Sequence, residues 1–138
     1  MDNMKKTETK TKPARNAAHS AAGGEMKTID AGGKSLGRVA TQAAMHLMGK
    51  TAPTFERHIY SGFKVLVVNA GKIRITSKKL ETIAHRRYSG IPGGLRITSA
   101  AKTAKDKGMK ELVRLAIYQM LPGNKLRREM MKHLTIEE

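Results

Sequence analysis

The chain has 138 residues, 27 Lys and Arg against 11 Asp and Glu, a formal net charge of +16 and no cysteine. This length fits one domain, the lack of Cys excludes a disulfide scaffold and any thiolate metal or redox site, and the charge points to a polyanionic partner. The longest aliphatic run, Val65-Leu66-Val67-Val68, is far too short to span a bilayer, and no apolar stretch after Met1 reads as a secretory signal.

Membrane and nucleic acid are both polyanions, and the distribution of charge helps to choose. Residues 1–25 carry 5 basic and 3 acidic side chains, whereas residues 26–138 carry 22 and 8, and the stretch 72–110 alone carries 11 and 2. The excess belongs to the part expected to fold. A membrane-surface helix needs bulky apolar residues opposite its basic ones; with no Trp and only 2 Phe, that reading is weak and no membrane partner is expected.

In chain order, residues 1–25 are rich in Lys, Thr, Ala and Gly without apolar periodicity, and read as a disordered basic extension. Folding is expected from Met26, as a single α/β domain over residues 26–138. Lys27–Asp30 reads as a short strand and Ala31-Gly32-Gly33 as a turn. Leu36, Val39, Ala40, Ala43, Ala44, Leu47 and Met48 then fall at helical spacing, with Ser35 as candidate N-cap and Gly49 just past the end. Phe63–Asn69 is nearly continuous in apolar residues and reads as a buried parallel strand. Lys72–Thr76 alternates, as a half-exposed segment does. Residues 83–99 hold strand-like pieces around the glycine-rich Ser89–Gly94. Met109, Leu112, Val113, Ala116, Ile117, Met120 and Leu121 predict a second long helix, which Pro122-Gly123 ends. Asn124 can cap a last helix running to about His133. Strands and helices in this order favour an α/β layer fold.

Catalytic chemistry finds little support. Gly33-Lys34-Ser35 before a helix resembles the end of a phosphate-binding loop, but Thr28 stands where that motif needs its first glycine. Lys34 and the helix amides could still hold one phosphate of a polymer. The five His residues, at 19, 46, 58, 85 and 133, are scattered, so no metal site is expected. Acidic pairs in apolar settings are absent, and Ser61-Gly62 and Ser89-Gly90 read as loops rather than nucleophile turns. No catalytic residue and no cofactor is assigned, and the nine methionines read as core filler.

The most informative stretch is His85–Arg96. Paired arginines bridge phosphates, glycines let the backbone approach a sugar-phosphate surface, and Tyr88 can stack on an unpaired base. Lys78, Lys79 and Arg96 lie close in sequence. In the last helix, Leu126, Met130 and Leu134 share one face, and Lys125, Arg128 and Lys132 another.

Several pieces together resemble the universal family of large-subunit ribosomal protein thirteen, in its bacterial form. They are Asp30-Ala31 with Gly33-Lys34-Ser35-Leu36-Gly37-Arg38-Val39-Ala40, His58 with Gly62, Asn69-Ala70 with Lys72-Ile73, Ser89-Gly90 with Pro92-Gly93-Gly94-Leu95-Arg96, and Met120-Leu121-Pro122 with Asn124 and Leu126. They occur in the family order over residues 27–134. Tyr60 stands where the family usually has Asp, Tyr88 where it has His, Gln119 and Arg127 where it has Gly, and the family's aromatic, Gly and His tail has no counterpart before Glu138. The resemblance therefore leaves the final strand or tail contact unaccounted for.

The resemblance implies a three-layer α/β/α fold with a mainly parallel sheet of about four strands. It also implies a non-enzymatic structural protein of the cytoplasmic large ribosomal subunit, bound to large-subunit rRNA and neighbouring ribosomal proteins and active early in assembly. RNA contacts are expected from Lys34, Arg38, Lys50, Arg57, His58, Lys72, Lys78, Lys79, Arg86, Arg87, Tyr88, Arg96, Lys125, Arg127, Arg128 and Lys132. Two other readings compete: a free-standing RNA-binding regulator, for example of its own messenger RNA, and a phosphate-handling α/β enzyme.

Overall fold

The structure, a computed structural model, describes residues 26–138. The expected disordered extension lies outside the described residues. In chain order come β1 (Met26–Asp30), α1 (Leu36–Met48), β2 (Lys64–Val68), a 3-10 turn at Ala70–Lys72, α2 (Ser77–Thr82), β3 (Ala84–Tyr88), β4 (Leu95–Ser99), α3 (Ala100–Met120), α4 (Leu126–Lys132) and β5 (Leu134–Ile136). The α/β class expected from the sequence is present.

β1, β2 and β5 form a parallel sheet in the order β1-β2-β5. Met26 lies opposite Lys64 and Asp30 opposite Val68, while Val65 to Val67 face Leu134 to Ile136. β2 is therefore the central strand. Its Val65 and Val67 are buried and its Leu66 and Val68 half-buried, as a strand covered on both faces requires.

α1 buries Val39, Ala40, Ala43, Ala44 and Leu47, and packs on α3 as well as on β1 and β2. The small alanines allow close approach to the sheet. Gly49 ends the helix at φ 77°, and its N–H donates to the His46 carbonyl. A Cβ there would sit 2.8 Å from Ser61 Oγ and 3.0 Å from Phe63 Cε2, so space and backbone both demand glycine. From α3, Leu112, Val113 and Ile117 are buried, and Leu121, Met130 and Ile136 help close the core around them.

Lys72–Thr76 alternates in burial, and after the 3-10 turn it forms a single parallel bridge, Ser35 to Arg74. The structure departs from the sequence reading in three places. α2 was not anticipated, because six residues cannot display a helical stripe. α3 begins at Ala100 rather than near Met109; Gly108, at φ 80°, interrupts it, and the polar residues before that kink lack the apolar period of those after it. Leu134, placed by spacing on the face of the last helix, instead opens β5, the final strand that the resemblance left unaccounted for. Among the described residues the parallel sheet has three strands, and β3 and β4 pair separately as an antiparallel hairpin.

Candidate nucleic-acid interface

The site begins where β1 and β2 end. Asp30 Oδ1 accepts from the Gly32 N–H at 3.1 Å and from Asn69 Nδ2 at 2.9 Å. Asn69 turns the chain in the left-handed region at φ 58°, which asparagine tolerates better than most residues. The Asn69 hydrogen bond, followed by that from Gly32 and by the charges of Lys34 and Lys72, holds the Asp30 carboxyl below its ordinary range against a small opposing effect of burial. Beyond this junction the two segments stay stitched. Gly33 N–H donates to the Lys72 carbonyl, and Arg74 N–H to the Lys34 carbonyl, each at 3.0 Å. Two short motifs far apart in sequence, around Lys34 and around Lys72, thus lie side by side.

This arrangement gathers cations around the start of α1. A cleft of about 420 Å³ is lined by Gly33, Lys34, Ser35, Arg38, Arg74, Thr76 and Lys79, with no carboxylate among them. Ser35 is the extended residue before α1, as expected, but its side chain makes no capping hydrogen bond. The first-turn amides of α1 accordingly add partial positive charge at the same mouth. α2 delivers Lys79, with Lys78 on the adjoining rim. Arg74 was not among the sequence candidates. Its signal was the alternation with buried Ile73 and half-buried Ile75, which turns Arg74 outward.

The surface charge is largely uncompensated. Among the described residues only two acid–base pairs form: Glu56 with His58 at 3.3 Å, and Glu111 with Arg114 at 2.7 Å. None of the four cations of the cleft is so paired.

The remaining candidates fall into separate groups. Lys50 and Arg57 line a second cleft with Pro122 and Asn124. His58 is exposed beside Glu56, and Lys72 is exposed near Asp30. In the hairpin, Arg86 stands opposite Ile97, Arg87 opposite Arg96 and Tyr88 opposite Leu95; all six are exposed. Asn124 Oδ1 accepts from the Arg127 N–H at 3.1 Å and so caps α4 as anticipated. Lys125, just before α4, and Arg128 and Lys132 on it are exposed, while Met130 is buried and Leu126 half-buried. Arg127 differs from the rest. It is half-buried, donates to the Pro122 carbonyl at 2.8 Å and the Leu121 carbonyl at 2.7 Å, and lies 4.6 Å from the Tyr118 ring centroid. Its guanidinium is engaged inside the chain, closing the end of α3.

Tyr60, one of the departures from the family pattern, also has a structural role. Its hydroxyl donates to the Phe63 carbonyl at 3.3 Å and its ring packs 5.4 Å from that of His133. Burial, and secondarily the charge of Glu129, pushes its phenol up to about 12, so it stays neutral. Among the described residues no group of three or more His, Asp or Glu is placed to hold a metal ion, and no helix is long and apolar enough to cross a membrane.

Fold and surface together define a basic α/β protein with a cleft lined by cations at the start of α1. Residues 25–137 match the family described as ribosomal protein L13. The large ribosomal subunit protein uL13 of Moorella thermoacetica is 44% identical over 108 residues, covering 78% of this chain and 74% of that protein. Its counterpart in Thermotoga maritima is 43% identical, and that in Saccharopolyspora erythraea 47%, each across 78% of this chain and 72% of the relative. The chain belongs to the ribosomal protein L13 family, a family of structural rather than enzymatic proteins.

Proposed function

We propose that this chain is a structural constituent of the large ribosomal subunit, that it binds large-subunit rRNA, and that it supports early subunit assembly in the cytoplasm. The observation that carries this reading is the cleft of unpaired cations at the start of α1: Lys34, Arg38, Arg74 and Lys79 around first-turn amides, without a lining carboxylate. Such a surface suits phosphate oxygens of a polymer and offers no group for turnover. The hairpin cations Arg86, Arg87 and Arg96 and the outer face of α4 extend the same reading, as do Lys50 and Arg57. Neighbouring large-subunit proteins are the further partners. The same phosphate chemistry would serve messenger RNA, which belongs to the proposal only as an additional ligand.

The domain organisation, one folded unit over residues 26–138 with residues 1–25 as a basic extension, is part of this reading; the family match over residues 25–137 supports its boundary. So is a three-layer arrangement with a fourth strand, for which the packing of α1 on both the sheet and α3 is the supporting contact. Sedimentation of lysate on a sucrose gradient tests the function. The chain should travel with the large subunit through a moderate-salt wash and crosslink to its rRNA. A chain found only in the free-protein fractions would refute the proposal.

A further inference from the structure

Beside the cationic cleft runs a larger groove, of about 810 Å³, between the start of α1, α2, β3 and the second half of α3. Its walls are apolar: Leu36, Ile75, Ile83, Leu112, Ala116 and Met120. Its rim is cationic, and Arg38, Arg74 and Lys79 line both the groove and the cleft. No carboxylate lines either one. Ser35, Thr76 and Thr82 add hydroxyls to its lining, and His85 and Gln119 reach it as well. Gln119 Nε2 lies 3.4 Å from His85 Nδ1; with the amide as donor, the ring proton sits on Nε2. That Nε2 is buried and has no hydrogen-bond partner, a situation that proteins rarely leave unresolved.

Resting on the RNA-binding reading above, we propose that this groove takes one unstacked nucleobase of the bound RNA, with a flanking phosphate on the adjoining cations. A base has apolar faces and a polar edge. Its faces match the Leu112, Ala116 and Met120 wall, and its edge carries acceptors of the kind that the unpartnered His85 Nε2 lacks. The charge on the rim selects the occupant. An apolar protein side chain would suit the walls but would leave the shared Arg38, Arg74 and Lys79 without a counter-charge. A nucleotide satisfies both halves at once. Single-stranded bases are the part of RNA open to such reading, because the grooves of a paired A-form helix present mainly backbone and shape.

The test uses the full chain and two RNA hairpins of identical sequence, each with a one-nucleotide bulge. In one the bulged nucleotide carries its base, and in the other it is abasic, so phosphate number is constant. The base-bearing bulge should bind about tenfold more tightly, within the range typical of one base–protein stacking contact. Ala116→Leu, which adds bulk to that wall, should reduce the preference to about twofold or less. His85→Ala, which removes a side chain rather than adding one, provides the second variant and should also diminish the preference. Equal binding of the two RNAs by the native chain would overturn the proposal and point to a protein side chain in the groove. A preference that survives both variants would also overturn it. Binding of neither RNA would instead sink the RNA-binding reading on which the proposal rests.

Discussion

β2 and β3 are both five-residue strands, yet they live in opposite surroundings. β2, the sequence Lys-Val-Leu-Val-Val, is paired on both edges and buries Val65 and Val67. β3, the sequence Ala-His-Arg-Arg-Tyr, has one partner, and only His85 of its side chains is partly covered. Its partner β4 leaves Leu95 and Ile97 more than half exposed, and Arg87 directly faces Arg96. A two-stranded hairpin is marginal in water, and like charges opposite one another weaken it further. The parallel sheet is built to hold itself together. The hairpin is held mainly at its base, where the Ala100 N–H donates to the Ile83 carbonyl at 2.8 Å. Its exposed apolar and cationic side chains are what a partner surface would cover.

The largest effect should separate the two regions by stability. Leu47 is fully buried beneath the sheet, and Leu47→Ala should lower stability by about 3 kcal/mol through weakened apolar packing and an incompletely filled cavity. Ile97→Ala, at a residue 60% exposed, should change it by less than about 0.5 kcal/mol. Denaturant unfolding of both variants measures the contrast. A large loss for Ile97→Ala would mean that the hairpin face is covered within the free protein.

Charge should divide the regions in the other direction. Arg38→Glu, at an exposed residue of the cleft, removes one phosphate attraction and adds a repulsion. It should leave stability nearly unchanged and weaken RNA binding by about tenfold or more. Arg38→Ala should reduce the salt slope of binding by about 1, the expectation for one phosphate contact. A salt titration of affinity for a fixed RNA decides it. An unchanged slope would move the interface away from the start of α1.

The legibility of the chain follows the same division. α1 and the second half of α3 were readable because a long apolar stripe has no other economical fold: Val39, Ala43 and Leu47 on one, Leu112, Val113 and Ile117 on the other, all became core. α2 and β5 were not, since six and three residues are too few to show a period. β5 was also disguised, because Leu134 continues the spacing of Leu126 and Met130 past the point where His133 ends the helix. For the site, Lys34, Arg38 and Lys79 were visible singly. Their convergence was not, because it depends on the Asp30–Asn69 junction and on hydrogen bonds between segments some 40 residues apart in sequence. Arg127 is the converse case. Basic character placed it among candidate contacts, while the carbonyls ending α3 claim its guanidinium.

That last difference gives a smaller, sharper test within one helix. Arg127→Ala removes two hydrogen bonds to carbonyls and the stacking on Tyr118, and should cost about 1–2 kcal/mol after allowance for its partial exposure. Arg128→Ala, next to it and exposed, should cost less than about 0.5 kcal/mol and lower RNA affinity instead. Thermal unfolding of the pair, with affinity measured on each, reads both. Equal destabilisation by the two would contradict the inward role assigned to Arg127.

The smallest expected effect concerns the hairpin alone. Arg87 and Arg96 face each other across the β3–β4 ladder without a carboxylate paired to either among the described residues. Replacing one by Thr removes the repulsion and introduces a residue that favours strands, so Arg87→Thr should stabilise the hairpin by a few tenths of a kcal/mol, about 0.3. Global unfolding would barely register this, because the core dominates it. Amide hydrogen exchange within β3 and β4 reports local opening and should slow in the variant. The same substitution should weaken RNA binding by several-fold, since one cation of the presented surface is gone. Opposite signs for local stability and affinity are what a surface shaped for a phosphate-bearing partner predicts. If exchange in the hairpin accelerates instead, the two arginines are held apart by their length and solvation, and Arg87 contributes packing along its stem that the charge argument leaves out.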